Sequence, residues 1–194
     1  MFILSLALLG QSAQIDADIG KAARRCAAAF TVDAKRRGVN PLRTASQIGY
    51  LGLAAARAEG AGNDVLLASA SKVLNQASSL IPAATRNSSA IAIACDKRFP
   101  LARATAPAPL PSDPADRDIL CFAAITLQAG AAAQLPNPAT LKSIEPLMAR
   151  FSDRFDAAID SKGLPVGALL DAIRSLPDRG NAETIYLSCK QLPA

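Results

Sequence analysis

Two segments of this chain match each other, and each begins at a cysteine. Residues 26–34 read CAAAFTVDA and residues 121–129 read CFAAITLQA, so that five of nine positions are identical. A second match places Cys95 opposite Cys189 and the preceding Asn87 opposite Asn181. The two cysteines are 69 residues apart in the first copy and 68 in the second. This spacing indicates a tandem duplication of one unit of about 80 residues.

The hydrophobic pattern within each unit is helical. Ala22, Cys26 and Phe30 recur at four-residue spacing, which places them on one face of a helix and makes Cys26 core-facing. Alanine contributes 42 of the 194 residues, and as the best helix former with a small side chain it favours closely packed helices. We therefore predict an all-α fold, a tandem duplication of a four-helix unit in which one disulfide closes each unit.

Local signals predict where the helices begin and end. Asp16 or Asp18 can cap the first helix, Gly38 ends it, and the Asn40-Pro41 pair opens the second. The predicted helices of the first unit run from this cap to about residue 38, and over 41–59, 63–80 and 88–98. Those of the second unit lie near 115–129, 138–161, 165–175 and 181–191.

The chain divides into four predicted segments. An apolar run over residues 2–10, followed by Gln11-Ser12-Ala13, predicts a signal peptide over 1–13, and a buried first helix is the alternative. The first unit spans 16–99 and the second 115–194. Between them, residues 100–114 hold five of the 13 prolines and should form an extended connector. The mature protein is expected to be periplasmic or secreted and not to span a membrane, since no other stretch is apolar for long enough.

The four cysteines are predicted to be structural. They allow three pairings, and the repeat favours Cys26 with Cys95 and Cys121 with Cys189, because an ancestral unit held only its own two thiols. Closing loops of this size stabilises a fold by about 4 kcal/mol in the chain-entropy model. A redox site would need a close Cys-x-x-Cys pair, and a zinc site would need clustered ligands; neither pattern occurs in the sequence. We expect no metal and no cofactor.

The chain has no histidine, which excludes Ser-His-Asp and Cys-His catalysis. Carboxylate catalysis is the enzymatic route left open, and Asp153, Asp156 and Asp160 share one face of a predicted helix. Arg150 and Arg154 lie beside them and suggest a solvated, ion-paired face instead. We therefore favour a protein without enzymatic activity, and a carboxylate-based hydrolase of the cell envelope is the alternative.

Charge is unevenly divided along the chain. Residues 1–110 carry a net charge of +7 and residues 111–194 a net charge of −2. Six basic side chains of the first unit are candidates for binding an anionic surface or polymer: Arg24, Arg25, Lys35, Arg36, Arg37 and Arg43. Two other interpretations remain: cations complement the dipole at a helix C-terminus, or the basic first unit pairs with the acidic second unit. Nucleic acid is not an expected partner, because no aromatic residues accompany these charges.

Four further residues have predicted structural roles. Gly49 and Gly52 are expected to allow close helix contact beside Tyr50, which would then form part of the core or of a groove. Asn87-Ser88-Ser89 satisfies a glycosylation sequon, and Asn87 is predicted to act as a helix cap.

Cys26, the Tyr50-Leu51-Gly52 segment and Cys95 together resemble small secreted helical proteins of bacteria. The resemblance covers the first unit, whereas the second has Pro146-Leu147-Met148 where a comparable motif would lie. It implies a helical fold and a secreted location, and no activity. The resulting hypothesis is a secreted or periplasmic binding or interaction protein without an evident catalytic site. Its partner would be an envelope protein or an anionic polymer, and an apolar groove between the units would instead indicate a small ligand.

Overall fold

The computed structural model describes residues 15–165 and 167–193, and in these residues the fold is all-helical, as predicted. The predicted signal peptide, residues 1–13, lies outside the described residues. The α-helices are α1 (Ile19–Arg37), α2 (Pro41–Ala58), α3 (Leu66–Ser78), α4 (Ile81–Ala84), α5 (Ser88–Arg98), α6 (Pro114–Ala133), α7 (Pro138–Lys142), α8 (Glu145–Lys162), α9 (Ala168–Ser175) and α10 (Ala182–Lys190). A short 3-10 helix, Leu176–Asp178, precedes α10. No helix of the described residues is long and apolar enough to cross a bilayer.

The ends of α1 and α2 follow the local signals. The Asp18 carboxylate accepts a hydrogen bond from the backbone N–H of Lys21 at 2.7 Å and caps α1. Gly38, with φ of 63°, ends α1 in the left-handed conformation that glycine adopts without a steric penalty. The Asn40 side chain caps α2, and Pro41 occupies its first turn. These predicted boundaries are confirmed.

Other predicted boundaries differ from the structure. The helix predicted over 138–161 is two helices, because Pro146 in the first turn of α8 cannot continue a helix that arrives from α7. The break also turns Ile144 into the core, where it is 1% exposed. The third helix begins at Leu66 rather than at residue 63, and Pro82 opens the short helix α4.

One helix is central in each half of the chain. Helix α1 packs against α2, α3 and α5, and helix α6 packs against α8, α9 and α10. Disulfides join Cys26 to Cys95, between α1 and α5, and Cys121 to Cys189, between α6 and α10. This is the pairing that the repeat favours, and all four cysteines are fully buried. Each disulfide therefore ties a central helix to the last helix of its half.

The two halves pack against each other through α2. Leu53 of α2 and Leu66 of α3 belong to the same buried cluster as Leu120, Ile125 and Leu176 of the second half. A separate cluster is built from α1, α2, α3 and α5 with the start of the connector. Since one of the two cores contains side chains from both halves, the halves are not independent in their packing.

Of the connector predicted over residues 100–114, residues 100–113 contain no helix, whereas Pro114 is the first residue of α6. These residues do not form a free linker. Ala102 is fully buried, and the backbone N–H of Ala108 donates to the carbonyl of Thr184 at 3.0 Å. The Ser188 hydroxyl donates to the carbonyl of Ala108 at 2.6 Å. The connector is therefore held along α10.

Opposite charges meet across the two halves. Arg43 pairs with Glu183 at 2.8 Å, and Arg57 pairs with Asp178 at 2.9 Å. These contacts correspond to the interpretation in which the basic first unit pairs with the acidic second one. They lie at the two ends of α2 and fix its position against the second half.

Candidate ligand-binding cavities

The largest cavity described lies between the two halves, with a volume of about 660 Å³. We call it the interhalf cavity. Its walls come from α2, α3, α6 and the segment that joins the 3-10 helix to α10. The described lining residues are Ala45, Ser46, Ile48, Gly49, Tyr50, Leu53, Leu67, Ala70, Ser71, Leu74, Thr126, Leu127, Gly130, Ala131, Gln134, Leu135, Leu176, Pro177, Gly180, Asn181 and Ala182. None of these is Asp, Glu, Lys or Arg, so the cavity is apolar with scattered neutral polar groups.

Two helical glycines keep part of this cavity open. A Cβ atom added at Gly49 of α2 or at Gly130 of α6 would have no neighbouring atom within 4 Å. A Cβ added at Gly52 would instead lie 3.0 Å from the carbonyl oxygen of Ala70 and 3.2 Å from Leu74. The predicted role in close helix contact is therefore confirmed for Gly52 and wrong for Gly49, which faces open space.

Neutral polar groups occur among the apolar walls. Tyr50 is 9% exposed, and its hydroxyl makes no hydrogen bond with the described residues. Burial, followed by the charge of Asp178, raises the pKa of Tyr50, so the phenol stays protonated at neutral pH. The Thr126 hydroxyl oxygen is buried and likewise has no partner in the described part of the chain. The Tyr50 hydroxyl is therefore available to a polar group of a ligand, whereas the Thr126 hydroxyl has almost no accessible surface.

Ser46 and Gln128 join the two halves beside the cavity. The Gln128 side chain is 1% exposed and donates to the Ser46 hydroxyl at 2.7 Å. The Ser46 hydroxyl in turn donates a hydrogen bond to the carbonyl of Leu42 at 3.0 Å. The Gln128 carbonyl oxygen has no partner among the described residues. A buried hydrogen bond of this kind fixes the register of α2 against α6.

A second, polar cavity of about 300 Å³ lies where α1, α2, α5 and the connector meet. We call it the arginine pocket. Its described lining residues are Phe30, Asp33, Ala34, Arg37, Val39, Arg43, Gln47, Asp96, Pro100, Arg103, Ala104 and Thr105. It differs from the interhalf cavity in holding charged groups of both signs.

Arg103 organises one wall of the arginine pocket. It donates to both carboxylate oxygens of Asp96 at 2.9 and 2.6 Å and to the buried Asp33 at 2.7 Å, while its guanidinium lies over the ring of Phe30. Burial lowers the pKa of Arg103, but the hydrogen bonds and charges of Asp96 and Asp33 outweigh it and leave the pKa above its ordinary value. Each of its three guanidinium nitrogens therefore donates a hydrogen bond within the fold.

The structure separates the six predicted anion-binding side chains. Arg37 and Arg43 both line the arginine pocket, and Lys35 is exposed outside it. Arg24 donates to Gln76 and Glu59, and Arg36 donates to the Ser88 hydroxyl and the Thr85 carbonyl. Arg25 lines a different cavity beside Asp16 and Lys21. Only two of the six candidates therefore share a site.

The three candidate catalytic carboxylates of α8 lie apart from the cavities described. Asp153, Asp156 and Asp160 are exposed and line neither the interhalf cavity nor the arginine pocket. The neighbouring arginines do not pair with them: Arg150 donates to the carbonyl of Cys189, and Arg154 donates to Asp118. The expected ion-paired face is therefore wrong, because these arginines hold α8 against the end of α10 and against α6.

Several residues of the two cavities were missed from the sequence. The sequence analysis did not single out Gly130 and Thr126, which line the interhalf cavity, or Gln128, which lies beside it. Gln128 does align with the buried Asp33 in the matched segments, and both are polar. Asn181 and Asn87, which also align, differ in role. The Asn181 side chain caps α10, whereas Asn87 occupies the N-cap position of α5 without a side-chain hydrogen bond. The predicted cap position of Asn87 is therefore confirmed, but its side chain makes no capping hydrogen bond.

Metal chemistry has no candidate site in the part of the chain described, since no cluster of three or more Cys, Asp or Glu side chains occurs there. Comparisons with protein-family models, with curated proteins and with solved structures give no match to this chain. Function must therefore be argued from the two cavities themselves.

Proposed function

We propose that this protein binds a small, predominantly apolar molecule in the interhalf cavity. The observation that carries the proposal is a cavity of about 660 Å³ whose described lining contains no charged side chain. Small-molecule sites are typically clefts of about 300–1,000 Å³ with mainly apolar walls and a few polar groups. The interhalf cavity fits that description in both size and composition.

The walls define the class of ligand. Burying a charged group against neutral walls is costly, which selects against ions. The Tyr50 hydroxyl, which makes no hydrogen bond with the described residues, can bind one polar group. The ligand we propose is therefore aliphatic or alicyclic and carries one neutral hydrogen-bonding group.

The open surroundings of Gly49 and Gly130 support a role in ligand binding rather than in helix packing. Glycine in a helix interior costs roughly 0.5–1 kcal/mol relative to alanine, and neither Gly49 nor Gly130 recovers this cost through close helix contact. Their missing side chains enlarge the cavity from both sides. A cavity maintained at a cost in stability is expected of a binding site.

The two disulfides fit an extracellular or otherwise oxidising compartment. With the sequence pattern of residues 1–13, they support our proposal of a secreted or periplasmic binding protein. The hydrolase alternative gains no support, because Asp153, Asp156 and Asp160 lie outside the cavities described. Binding of an anionic surface gains little, because the six basic candidates are spread over separate sites.

We further propose that the two halves arose by tandem duplication of a four-helix unit, over residues 16–99 and 115–194. Three features support this origin. The disulfides have nearly the same sequence separation, 69 and 68 residues. Each joins a central helix to the last helix of its half, and the aligned Asp33 and Gln128 are both buried polar residues. In this account the interhalf cavity formed when the second copy packed onto α2.

A neutral fluorescent probe, N-phenyl-1-naphthylamine, tests binding in the cavity. The mature protein should raise the fluorescence of this probe in a saturable way. Gly49→Leu and Gly130→Leu each place an apolar side chain in the open space and should weaken binding by roughly tenfold or more. Ala149→Leu adds a comparable side chain at an exposed position of α8 outside the cavity and should leave binding unchanged.

Native mass spectrometry of protein purified from its own cells supplies a second readout. A bound small molecule should be released on denaturation and should be missing from the Gly49→Leu variant. Equal probe binding by both filled variants and wild type would contradict the proposal. So would a concentration-dependent dimer that Gly49→Leu abolishes, because a second copy of the chain would then occupy the cavity.

A further inference from the structure

The arginine pocket contains a buried side chain without a partner. Gln47 is 6% exposed and lines the pocket, and its amide makes no hydrogen bond with any described residue. The amide atoms themselves are not fully buried, so they retain accessible surface in the pocket. A polar group that enters the pocket can therefore form a hydrogen bond with this amide.

Arg43 lies one helical turn before Gln47, and only the Nε of its guanidinium is held by a hydrogen bond in the described residues. Its Nε donates to both carboxylate oxygens of Glu183, at 3.0 and 2.8 Å. This hydrogen bond and the charge of Glu183 raise the pKa of Arg43, which keeps the guanidinium charged. Its two terminal nitrogens have no acceptor in the described part of the chain. The result is an oriented guanidinium whose outer edge is available, and that edge matches a carboxylate with two parallel hydrogen bonds.

The charges around the pocket limit the charge of the ligand. Three arginines, Arg37, Arg43 and Arg103, are balanced by the carboxylates of Asp33, Asp96 and Glu183. A doubly charged phosphate would add two negative charges beside three carboxylates. A single carboxylate can use the outer edge of the Arg43 guanidinium and adds only one negative charge.

We propose that the arginine pocket binds the carboxylate of a small organic acid. The outer edge of Arg43 holds the two carboxylate oxygens, and the Gln47 amide donates a further hydrogen bond. Ala34, Val39 and Pro100 provide apolar walls for a short hydrocarbon chain. This site is independent of the proposed ligand of the interhalf cavity, because Arg43 and Gln47 line only the arginine pocket.

The test is an NMR titration of the ¹⁵N-labelled mature protein with propionate and with 3-methylbutyrate. Both acids should shift the Gln47 side-chain amide and the Arg43 Nε signals. The shifts should saturate by about 20 mM acid, because even a site with a millimolar Kd is nearly fully occupied at that concentration. The Gln47 signal is identified by its loss in Gln47→Leu. Absence of saturable shifts at these two groups would overturn the proposal.

Three variants distinguish recognition by the Arg43 guanidinium from nonspecific electrostatic attraction of the acid to a basic surface. Gln47→Leu removes no hydrogen bond within the described fold and should weaken binding by roughly tenfold. Arg43→Lys keeps the charge but loses the planar edge, and a loss of roughly tenfold or more is expected. Lys35→Gln removes an exposed charge outside the pocket and should leave affinity unchanged.

Three results would contradict the proposal. Equal affinity of Arg43→Lys and wild type would exclude recognition by the guanidinium edge. An equal loss in Lys35→Gln would indicate general electrostatic attraction. Tighter binding of inorganic phosphate than of either acid would exclude the assignment to a carboxylate. Circular dichroism of each variant verifies that it is folded before its affinity is compared.

Discussion

Gly49 and Gly52 lie three residues apart in α2 and have opposite surroundings. Gly52 allows α2 and α3 to approach, because a Cβ there would lie 3.0 Å from the carbonyl oxygen of Ala70. Gly49 faces open space in the interhalf cavity. The same residue type therefore serves packing at one position and leaves a cavity at the other.

Alanine substitution at these two glycines should change stability in opposite directions. Gly49→Ala should raise the free energy of unfolding by about 0.5–1 kcal/mol, because the backbone loses less conformational freedom on folding and the added methyl group meets no neighbour. Gly52→Ala should lower it by about 1 kcal/mol or more, since the backbone of α3 must move. Urea denaturation of both variants measures the difference, and a change of the same sign in both would contradict this assignment.

At the scale of elements, the connector depends on α10. The Asn181 side-chain amide donates to the carbonyls of Leu101, Ala102 and Ala104 at 3.3, 3.1 and 2.9 Å. Its carbonyl oxygen accepts the backbone N–H of Thr184 at 3.1 Å and so caps α10. One buried side chain therefore begins a helix and holds a proline-rich segment that has no regular structure of its own.

Asn181→Ala should lower the free energy of unfolding by about 2–4 kcal/mol, because it removes a helix cap and leaves connector carbonyls unpaired. Asn87→Ala is the matched control: Asn87 occupies the aligned N-cap position of α5, without a side-chain hydrogen bond. Its effect should stay within about 0.5 kcal/mol. Urea denaturation compares the two variants. Equal losses in the free energy of unfolding would show that Asn181 contributes no more to stability than a surface asparagine.

At the scale of the whole molecule, the shared core makes the halves cooperative. Leu53 and Leu66 of the first half are buried among side chains of the second half, and Arg43 and Arg57 pair across the same boundary. Unfolding of one half would expose apolar surface of the other. The two halves should therefore unfold together.

Replacing Cys121 and Cys189 by alanine together tests this cooperativity. The double variant should be less stable by about 4 kcal/mol, because the loop of the second half is no longer closed in the unfolded state. The whole transition should shift to lower denaturant concentration and stay single. Far-ultraviolet circular dichroism and tyrosine fluorescence should coincide, since Tyr50 and Tyr186 report on different halves. Two separate transitions would contradict a shared core.

Local chemistry explains which parts of the fold could be predicted from the sequence. The caps at Asp18, Gly38 and Asn40 depend on residues within one helical turn, so their positions can be recognised in the chain itself. The break at Pro146 was missed although proline is a local signal, because the buried position of Ile144 that accompanies it depends on packing. Arg37 and Arg43 were candidates from charge alone, but the sequence did not separate them from the other four basic residues.

The sequence by itself determined an all-helical chain with two disulfides, because periodicity, capping and cysteine spacing are properties of nearby or matched residues. Only the tertiary structure decided where the cavities lie. The interhalf cavity requires α2 to pack against α6, so that Gly49 and Gly130 face the same space from positions far apart in the chain. The arginine pocket likewise requires Glu183 of α10 to orient Arg43 of α2. Contacts between such distant residues follow from the packing of whole helices, and no local pattern encodes them.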